Sequence, residues 1–159
     1  KSPIKNISVS GVSIVSPTPD ITNARIEVEN GSVANLTASR ISLKNMRRHR
    51  IFQKDAYITV DFLDKKTDIV RIDNVEGEIS PLAMTIDLAD GTRKQITIEQ
   101  PEVTPINAIM TELESFHNAI VNNTEPPVTI HDGVQALKVC YMILDEIVKN
   151  QEIVQNHLK

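Results

Sequence analysis

The spacing of apolar and polar residues changes once along this chain. Up to about residue 100 they alternate with a period of two, as in ARIEVE (24–29) and ITVDF (58–62), which is typical of strands with one buried face. Beyond residue 100 the apolar residues recur with a period of about 3.6, which is typical of amphipathic helices. Strands followed by helices indicate an α+β fold. We therefore predict one domain over residues 1–159, with a mostly antiparallel open sheet (about 4–100) and C-terminal helices (about 105–122 and 130–150) packed on one face.

Two dipeptides mark the tightest hairpins. Asn30-Gly31 follows ARIEVE and predicts a type I′ turn, in which both central residues have positive φ. Asp90-Gly91 predicts a second hairpin between AMTIDL (83–88) and KQITIE (94–99). Further strands are predicted at ISVSGVSIV (7–15), RIFQ (50–53), AYITVDFL (56–63) and TDIVRI (67–72).

Both helices carry candidate start signals. Thr104-Pro105 offers an N-cap residue followed by proline at the first helical position, where the missing N–H costs nothing. Thr129 and Asp132 have the spacing of a capping box for the second helix. Cys140 lies in the apolar run VCYMIL of that helix and is predicted to be a small core residue.

Composition excludes several classes of protein. The chain has 21 acidic and 17 basic residues, a net charge of −4, so it lacks the strongly basic character expected of a nucleic-acid-binding protein. It contains no apolar stretch of the length that a membrane span requires, and its first residues lack the apolar block of a signal peptide. A single cysteine cannot form an internal disulfide, and a reducing cytoplasm is the predicted compartment.

Residue patterns for familiar chemistry are missing. The four histidines stand apart from one another and from pairs of acids at metal-ligand spacing, so we predict no metal site. The sequence contains no nucleophile elbow, no P-loop and no Gly-x-Gly-x-x-Gly motif. A hydrolase built from scattered acids is a further alternative, but it lacks a positioned pair of carboxylates.

The stretch SRISLKNMRRHR (39–50) concentrates basic residues between two predicted strands. One interpretation is a solvated connection whose charges protect a sheet edge from aggregation. The other is an anion-recognition element that binds a carboxylate or phosphate. Its candidate residues are Arg40 at the strand end, with Lys44 and Arg47.

Three stretches resemble the C-terminal domain of the Gfo/Idh/MocA family of nicotinamide-dependent oxidoreductases. They are NARIEVENGSVANLTASR (23–40), IFQKDAYITVDF (51–62) and ELESFHNAIVNNTEPPVTIHDGVQALKVCYMILDEI (112–147), of which the last is the most specific. The resemblance implies an open antiparallel sheet that helps to form a substrate site and mediates oligomerisation. Arg40, Lys44 and Arg47 are the candidates for its substrate side, and a partner subunit and solvent stay open as alternatives for Arg40.

In that family an N-terminal Rossmann domain binds NAD or NADP and carries the catalytic lysine of a Glu-Lys-Pro motif. None of these motifs occurs in this chain. The resemblance therefore implies a fragment: the substrate-side and oligomerisation domain of an oxidoreductase for a sugar, cyclitol or related polyol. Its expected partners are its own Rossmann domain and further copies, bound through the exposed sheet face. We expect the fragment alone to bind no nicotinamide cofactor and to have no activity. The alternative is a free-standing, non-catalytic binding or scaffold module.

Overall fold

The computed structural model describes residues 2–75 and 84–157, with residues 152–157 described through their backbone. The chain divides into two compact units, Lys1–Leu43 with Glu112–Lys159 and Lys44–Thr111. All described strands precede the two helices, which confirms the α+β class with antiparallel strands and C-terminal helices. The assignment of residues 1–159 to a single domain stays a prediction.

The first unit contains a three-stranded antiparallel sheet of order β1-β2-β3. Its strands are β1 (Ile4–Val12), β2 (Ile21–Val28) and β3 (Val33–Ser39). The predicted strand at 7–15 is therefore displaced, because it begins at Ile4 and ends at Val12. Residues 13–19 form a loop before β2.

The second unit contains a five-stranded antiparallel sheet of order β4-β5-β6-β8-β7. Each strand that the residue pattern predicts there is present, although residue 83 lies outside the described ranges. The strands are β4 (Arg48–Phe52), β5 (Ala56–Asp61), β6 (Lys66–Asn74), β7 (Met84–Asp87) and β8 (Arg93–Glu99).

The hairpin at Asn30-Gly31 is present, but the predicted turn type is wrong. Gly31 has φ of 87°, whereas the described non-glycine residues with positive φ are Lys65 and Asn123, so Asn30 does not have the positive φ of a type I′ turn. Gly31 N donates to Val28 O (2.9 Å), and Val28 N donates to the carbonyl of Ser32 (3.0 Å). The hairpin connection is therefore a three-residue loop, in which a β-turn is followed by a glycine with positive φ.

The hairpin at Asp90-Gly91 repeats these contacts. Gly91 has φ of 80° and donates to Leu88 O (3.0 Å). In both loops an Asx side chain stabilises the turn, since Asn30 Oδ1 accepts from Ser32 N (3.0 Å) and Asp90 Oδ1 accepts from Thr92 N (2.9 Å).

Helix α1 (Ala108–Val121) begins later than predicted. Its first turn is capped by Asn107, whose Oδ1 accepts from Met110 N (3.2 Å), so the prediction that Thr104-Pro105 starts the helix is wrong. The N–H groups of the first helical turn have no partner within the helix, and the Asn107 side chain accepts from one of them. The apolar stripe of this helix therefore excludes Ile106.

Helix α2 (Ile130–His157) begins where the capping box predicts. Asp132 N donates to Thr129 Oγ1 (3.2 Å), and Asp132 Oδ2 accepts from Thr129 N (3.1 Å). The reciprocal contacts confirm this cap with the shorter acid.

Helix α2 packs on the face of the three-stranded sheet that bears Gly11. Ile147 of α2 is 3 % exposed, and Ala24 and Ile26 of β2 are also buried. Asn150 Nδ2 donates to the β1 carbonyl of Val9 (2.9 Å), which holds helix and strand together. Cys140, by contrast, is exposed, so its assignment to the core is wrong. It lies two helical turns before Ile147 on the same face of α2, so the apolar stripe does not stay buried along the whole helix.

Candidate functional site

The three basic candidates lie in different parts of the fold. Arg40 directly follows β3 in the first unit, while Lys44 and Arg47 lie on the segment that leads into β4 of the second unit. Each is described within its own unit.

A buried carboxylate organises the end of the three-stranded sheet at which Arg40 lies. Asp20 is 3 % exposed, and its Oδ2 accepts from the backbone amides of Ile14 (2.7 Å), Val15 (2.8 Å) and Ser16 (3.3 Å). Its Oδ1 accepts from Ser16 Oγ (3.1 Å) and from Arg40 Nε (3.0 Å). These contacts draw residues 14–16 away from β1 and explain why that strand ends at Val12.

Arg40 completes this cluster through its other donors. Nη2 donates to Thr18 Oγ1 (2.9 Å) and to the Pro19 carbonyl (3.0 Å). Its backbone N also donates to Asp20 O (3.0 Å), which ties the end of β3 to the start of β2. The sequence-predicted anion ligand is thus already engaged with the loop at 13–19.

The electrostatics of Asp20 follow from these donors. Hydrogen bonds from the Ile14 and Val15 amides, and further ones from Ser16, lower the pKa of Asp20 to about 2 against the cost of desolvation. Since the folded-state pKa lies below the unfolded value of 3.8, the stability that this group contributes is present above that pH. It is lost as the pH falls toward 2.

A second carboxylate–arginine pair of the same kind lies in the other unit. Asp61 ends β5, and its Oδ1 accepts from the turn amides of Leu63 and Asp64 (both 3.0 Å). Its Oδ2 accepts from Arg48 Nε (2.9 Å) and Nη2 (2.6 Å) on β4. These amides and Arg48 lower the pKa of Asp61, while Asp61 raises the pKa of Arg48.

The basic residues of the stretch 39–50 therefore differ in whether their charges are paired. Arg40 and Arg48 are paired with aspartates, and His49 packs edge-on against Phe62 with ring centroids 5.0 Å apart. Lys44 and Arg47 are exposed and form no ion pair with another described residue. They are the candidates that retain free charge for an anionic ligand.

An apolar cleft of about 780 Å³ opens beside the start of α2. Its volume is in the range of small-molecule sites. The apolar wall comes from both helices and the segment between them, and the polar groups at its rim are Glu125, Thr129 and His131. The apolar side chains in this wall are 43–79 % exposed: Phe116, Val128, Ile130, Val134 and Leu137.

The five-stranded sheet carries an apolar area on one face, which we call the sheet patch. The pairings Phe52↔Tyr57↔Val70↔Ile98 and Ile72↔Ile96↔Met84 place two apolar rows on the same face, since residues two apart along a strand point the same way. Its exposed members, from 39 % to 75 %, are Phe52, Ile72, Met84, Ile86 and Ile98.

Within residues 2–75 and 84–151, no three His, Cys, Asp or Glu side chains come together in a way that could hold a metal ion. No helix in the described part of the chain has the length and apolar character needed to cross a membrane.

Asp20 and Asp61 were missed by the sequence reasoning, which followed the basic residues instead. The available signal was their position, because each lies at the end or start of a strand next to turn residues whose amides need acceptors.

Comparison with known proteins adds to this geometry. The chain is 34 % identical over 115 residues to UDP-N-acetylglucosamine 3-dehydrogenase of Acidithiobacillus ferrooxidans, an alignment that covers 72 % of this chain and 33 % of that protein. A solved structure of the same enzyme, GnnA in space group P21, matches with a TM-score of 0.74 at 26 % identity. That match covers 92 % of this chain and 42 % of the GnnA chain.

The chain is a homologue of the C-terminal part of a Gfo/Idh/MocA-family dehydrogenase. The family that the three sequence stretches resemble is thereby confirmed. The fold of this chain also matches that of an NAD-binding protein from Listeria innocua, with a TM-score of 0.62 at 17 % identity over 94 % of this chain and 40 % of that one. No protein-family model matches the chain. The chain spans about a third of the length of its curated relative.

Proposed function

We propose that this chain is the substrate-side and oligomerisation domain of an NAD(P)-dependent oxidoreductase that acts on a sugar derivative. The observation that carries the proposal is the 34 % identity to an enzyme named for dehydrogenating UDP-N-acetylglucosamine. Such a reaction needs a nicotinamide cofactor held against the substrate carbon, and the protein supplies binding and orientation.

In this proposal a separate Rossmann domain binds the cofactor. The 159 residues contain no Gly-x-Gly-x-x-Gly sequence to receive a pyrophosphate. The apolar cleft beside α2 and the exposed apolar residues of α1, such as Leu113 (60 %), would be covered by that domain. Apolar areas of this kind mark interaction surfaces, because single domains seldom leave them in water.

The substrate part of the proposal rests on charge. Lys44 and Arg47 keep free cationic groups, and a sugar nucleotide carries a diphosphate that such groups bind. Arg40 is a third substrate-side candidate, and its guanidinium is paired with Asp20.

Titration of the chain with UDP-N-acetylglucosamine tests the substrate assignment. We expect amide NMR shifts in the segment around Lys44 and Arg47, and the Lys44→Ala/Arg47→Ala variant should weaken binding about tenfold or more, since hydrogen bonds to charged groups are lost. Lys54→Ala removes another exposed lysine of the same unit and should change the affinity less than about twofold.

Two results would contradict the proposal. One is equal binding by the double variant and the wild type, which would exclude Lys44 and Arg47 as ligands. The other is clear micromolar binding of NADH or NADPH by the chain in calorimetry, which would place the cofactor site within these residues.

The oligomerisation part predicts self-association through the sheet patch. Sheets pack face to face by burying such rows, and a symmetric pair would bury the patch on both copies. Phe52→Arg places a charge at its most exposed member (75 %) and should shift sedimentation equilibrium to the monomer. Leu43→Arg, at an exposed apolar residue outside every strand, should leave association unchanged. A wild-type chain that stays monomeric at high concentration would refute this part.

A further inference from the structure

We propose that Arg40 acts as a positioning residue: together with Asp20 it fixes the loop at residues 13–19, and it does not itself bind the anionic group of a ligand. The inference rests on the proposed function, since it removes Arg40 from the substrate-side candidates for direct contact with the ligand and leaves Lys44 and Arg47. It also stands on contacts that lie entirely within the first unit.

The guanidinium of Arg40 has little left to offer a second anion. An arginine has five N–H donors, and it recognises a carboxylate or phosphate through two parallel bonds. Nε donates to Asp20 Oδ1 (3.0 Å), while Nη2 donates to Thr18 Oγ1 (2.9 Å) and the Pro19 carbonyl (3.0 Å). Only Nη1 remains, so a paired contact with a further anion would require Arg40 to release the loop.

Asp20 fixes the other side of the loop. Its carboxylate accepts three consecutive backbone amides, from Ile14 to Ser16, and its own backbone joins the strands on either side. Asp20 N donates to Val12 O (2.8 Å) on β1, and Asp20 O accepts from Arg40 N (3.0 Å). One residue thus connects the ends of three strands, and the side chain of Arg40 covers its carboxylate.

The consequence is a loop held in one conformation. Between its two attachments it directs Ile14 (58 % exposed) and Val15 (74 % exposed) outward, and a loop with satisfied amides keeps its shape before any ligand arrives. The Ser16 hydroxyl adds a contact to the Thr18 carbonyl (2.7 Å) inside the loop.

Amide hydrogen exchange on the 159-residue chain tests the role of Arg40. In Arg40→Ala we expect exchange at Ile14, Val15 and Ser16 to rise about tenfold to a hundredfold, with exchange in the strands of both sheets unchanged. Arg40→Lys keeps the charge but lacks the planar fork, so it should restore protection only in part.

Arg25→Ala is the matched control. Arg25 lies on the same sheet, is similarly exposed (51 % against 53 %) and forms an exposed ion pair with Glu27, so its loss should leave the loop amides unchanged. If Arg40→Ala does not fold, Thr18→Val removes one acceptor of Nη2 and should raise exchange at the same three amides, while Thr37→Val should not.

Inorganic phosphate titrated into the same proteins separates the roles. Unchanged phosphate binding in Arg40→Ala together with faster loop exchange supports positioning. Lost phosphate binding with unchanged loop exchange would overturn the inference and make Arg40 a ligand. Exchange that rises equally throughout the first unit would also overturn it, since Arg40 would then serve global stability alone. Binding of UDP-N-acetylglucosamine is measured in a separate experiment. If the chain does not bind it, the hydrogen-exchange and phosphate-binding results still decide the role of Arg40.

Discussion

Ile147→Ala should destabilise the first unit by about 2 to 5 kcal/mol, the range for truncating a buried isoleucine. Ile147 is 3 % exposed and fills the space between α2 and the Gly11 face of β1. The loss combines the transfer of its methylene and methyl groups with the cavity that remains. Denaturant unfolding followed by circular dichroism measures it as a lower midpoint.

Val148→Ala provides the matched control one residue further along the same helix. Val148 is 54 % exposed, so its truncation should change the free energy of unfolding by no more than about 0.5 kcal/mol. Equal effects of the two substitutions would show that α2 does not pack on β1 through Ile147.

The fold was predictable because its local signals agree with one another. Alternation identified the strands of both sheets, and Asn30-Gly31 and Asp90-Gly91 located the two hairpins. The type I′ turn was wrong because a dipeptide does not determine loop length: the partner of Val28 N is Ser32, which places Gly31 alone at positive φ. Likewise, the sequence offers both Asn107 and Thr104-Pro105 as helix caps. The hydrogen bond from Met110 N to Asn107 Oδ1 shows that Asn107 is the cap.

The separation of the strands into two sheets was not predictable from period alone. Alternation reports which residues share a face, whereas the break between β3 and β4 depends on the segment at 40–47 forming no strand. Cys140 shows a related limit, since an apolar run on a long helix does not tell which part of its length meets the sheet.

The site residues stay a prediction, and the sequence alone could not rank them for a physical reason. Counting charges identifies Arg40, Lys44 and Arg47 equally, yet only contacts over long sequence separations distinguish them. Arg40 meets Asp20 at a distance of twenty positions along the chain, and a buried acid that accepts backbone amides leaves no charge pattern in the sequence. Free charge on Lys44 and Arg47 is therefore the more specific indication of an anion site.

Gly11→Ala should destabilise the same helix–sheet contact by about 1 to 3 kcal/mol, the usual cost of overpacking. A Cβ at Gly11 would lie 2.8 Å from Ile147 Cδ1 and 3.0 Å from Cγ1 and Cγ2, closer than van der Waals contact allows. Gly133→Ala is the control of opposite sign. Among the described residues, no atom beyond its chain neighbours and the backbone of its own helix lies within 4 Å of its Cβ position, so alanine there should stabilise α2 by about 0.5 to 1 kcal/mol.

A double-mutant cycle identifies the clash as the cause. In Gly11→Ala/Ile147→Ala the new methyl group enters the space that the isoleucine leaves, so the double variant should be more stable than the sum of the single effects by about 1 to 3 kcal/mol. Urea unfolding of the four proteins gives this coupling energy. Additive effects would mean that Gly11 and Ile147 do not touch, and that the glycine is required by the backbone of β1 instead of by the packing of α2.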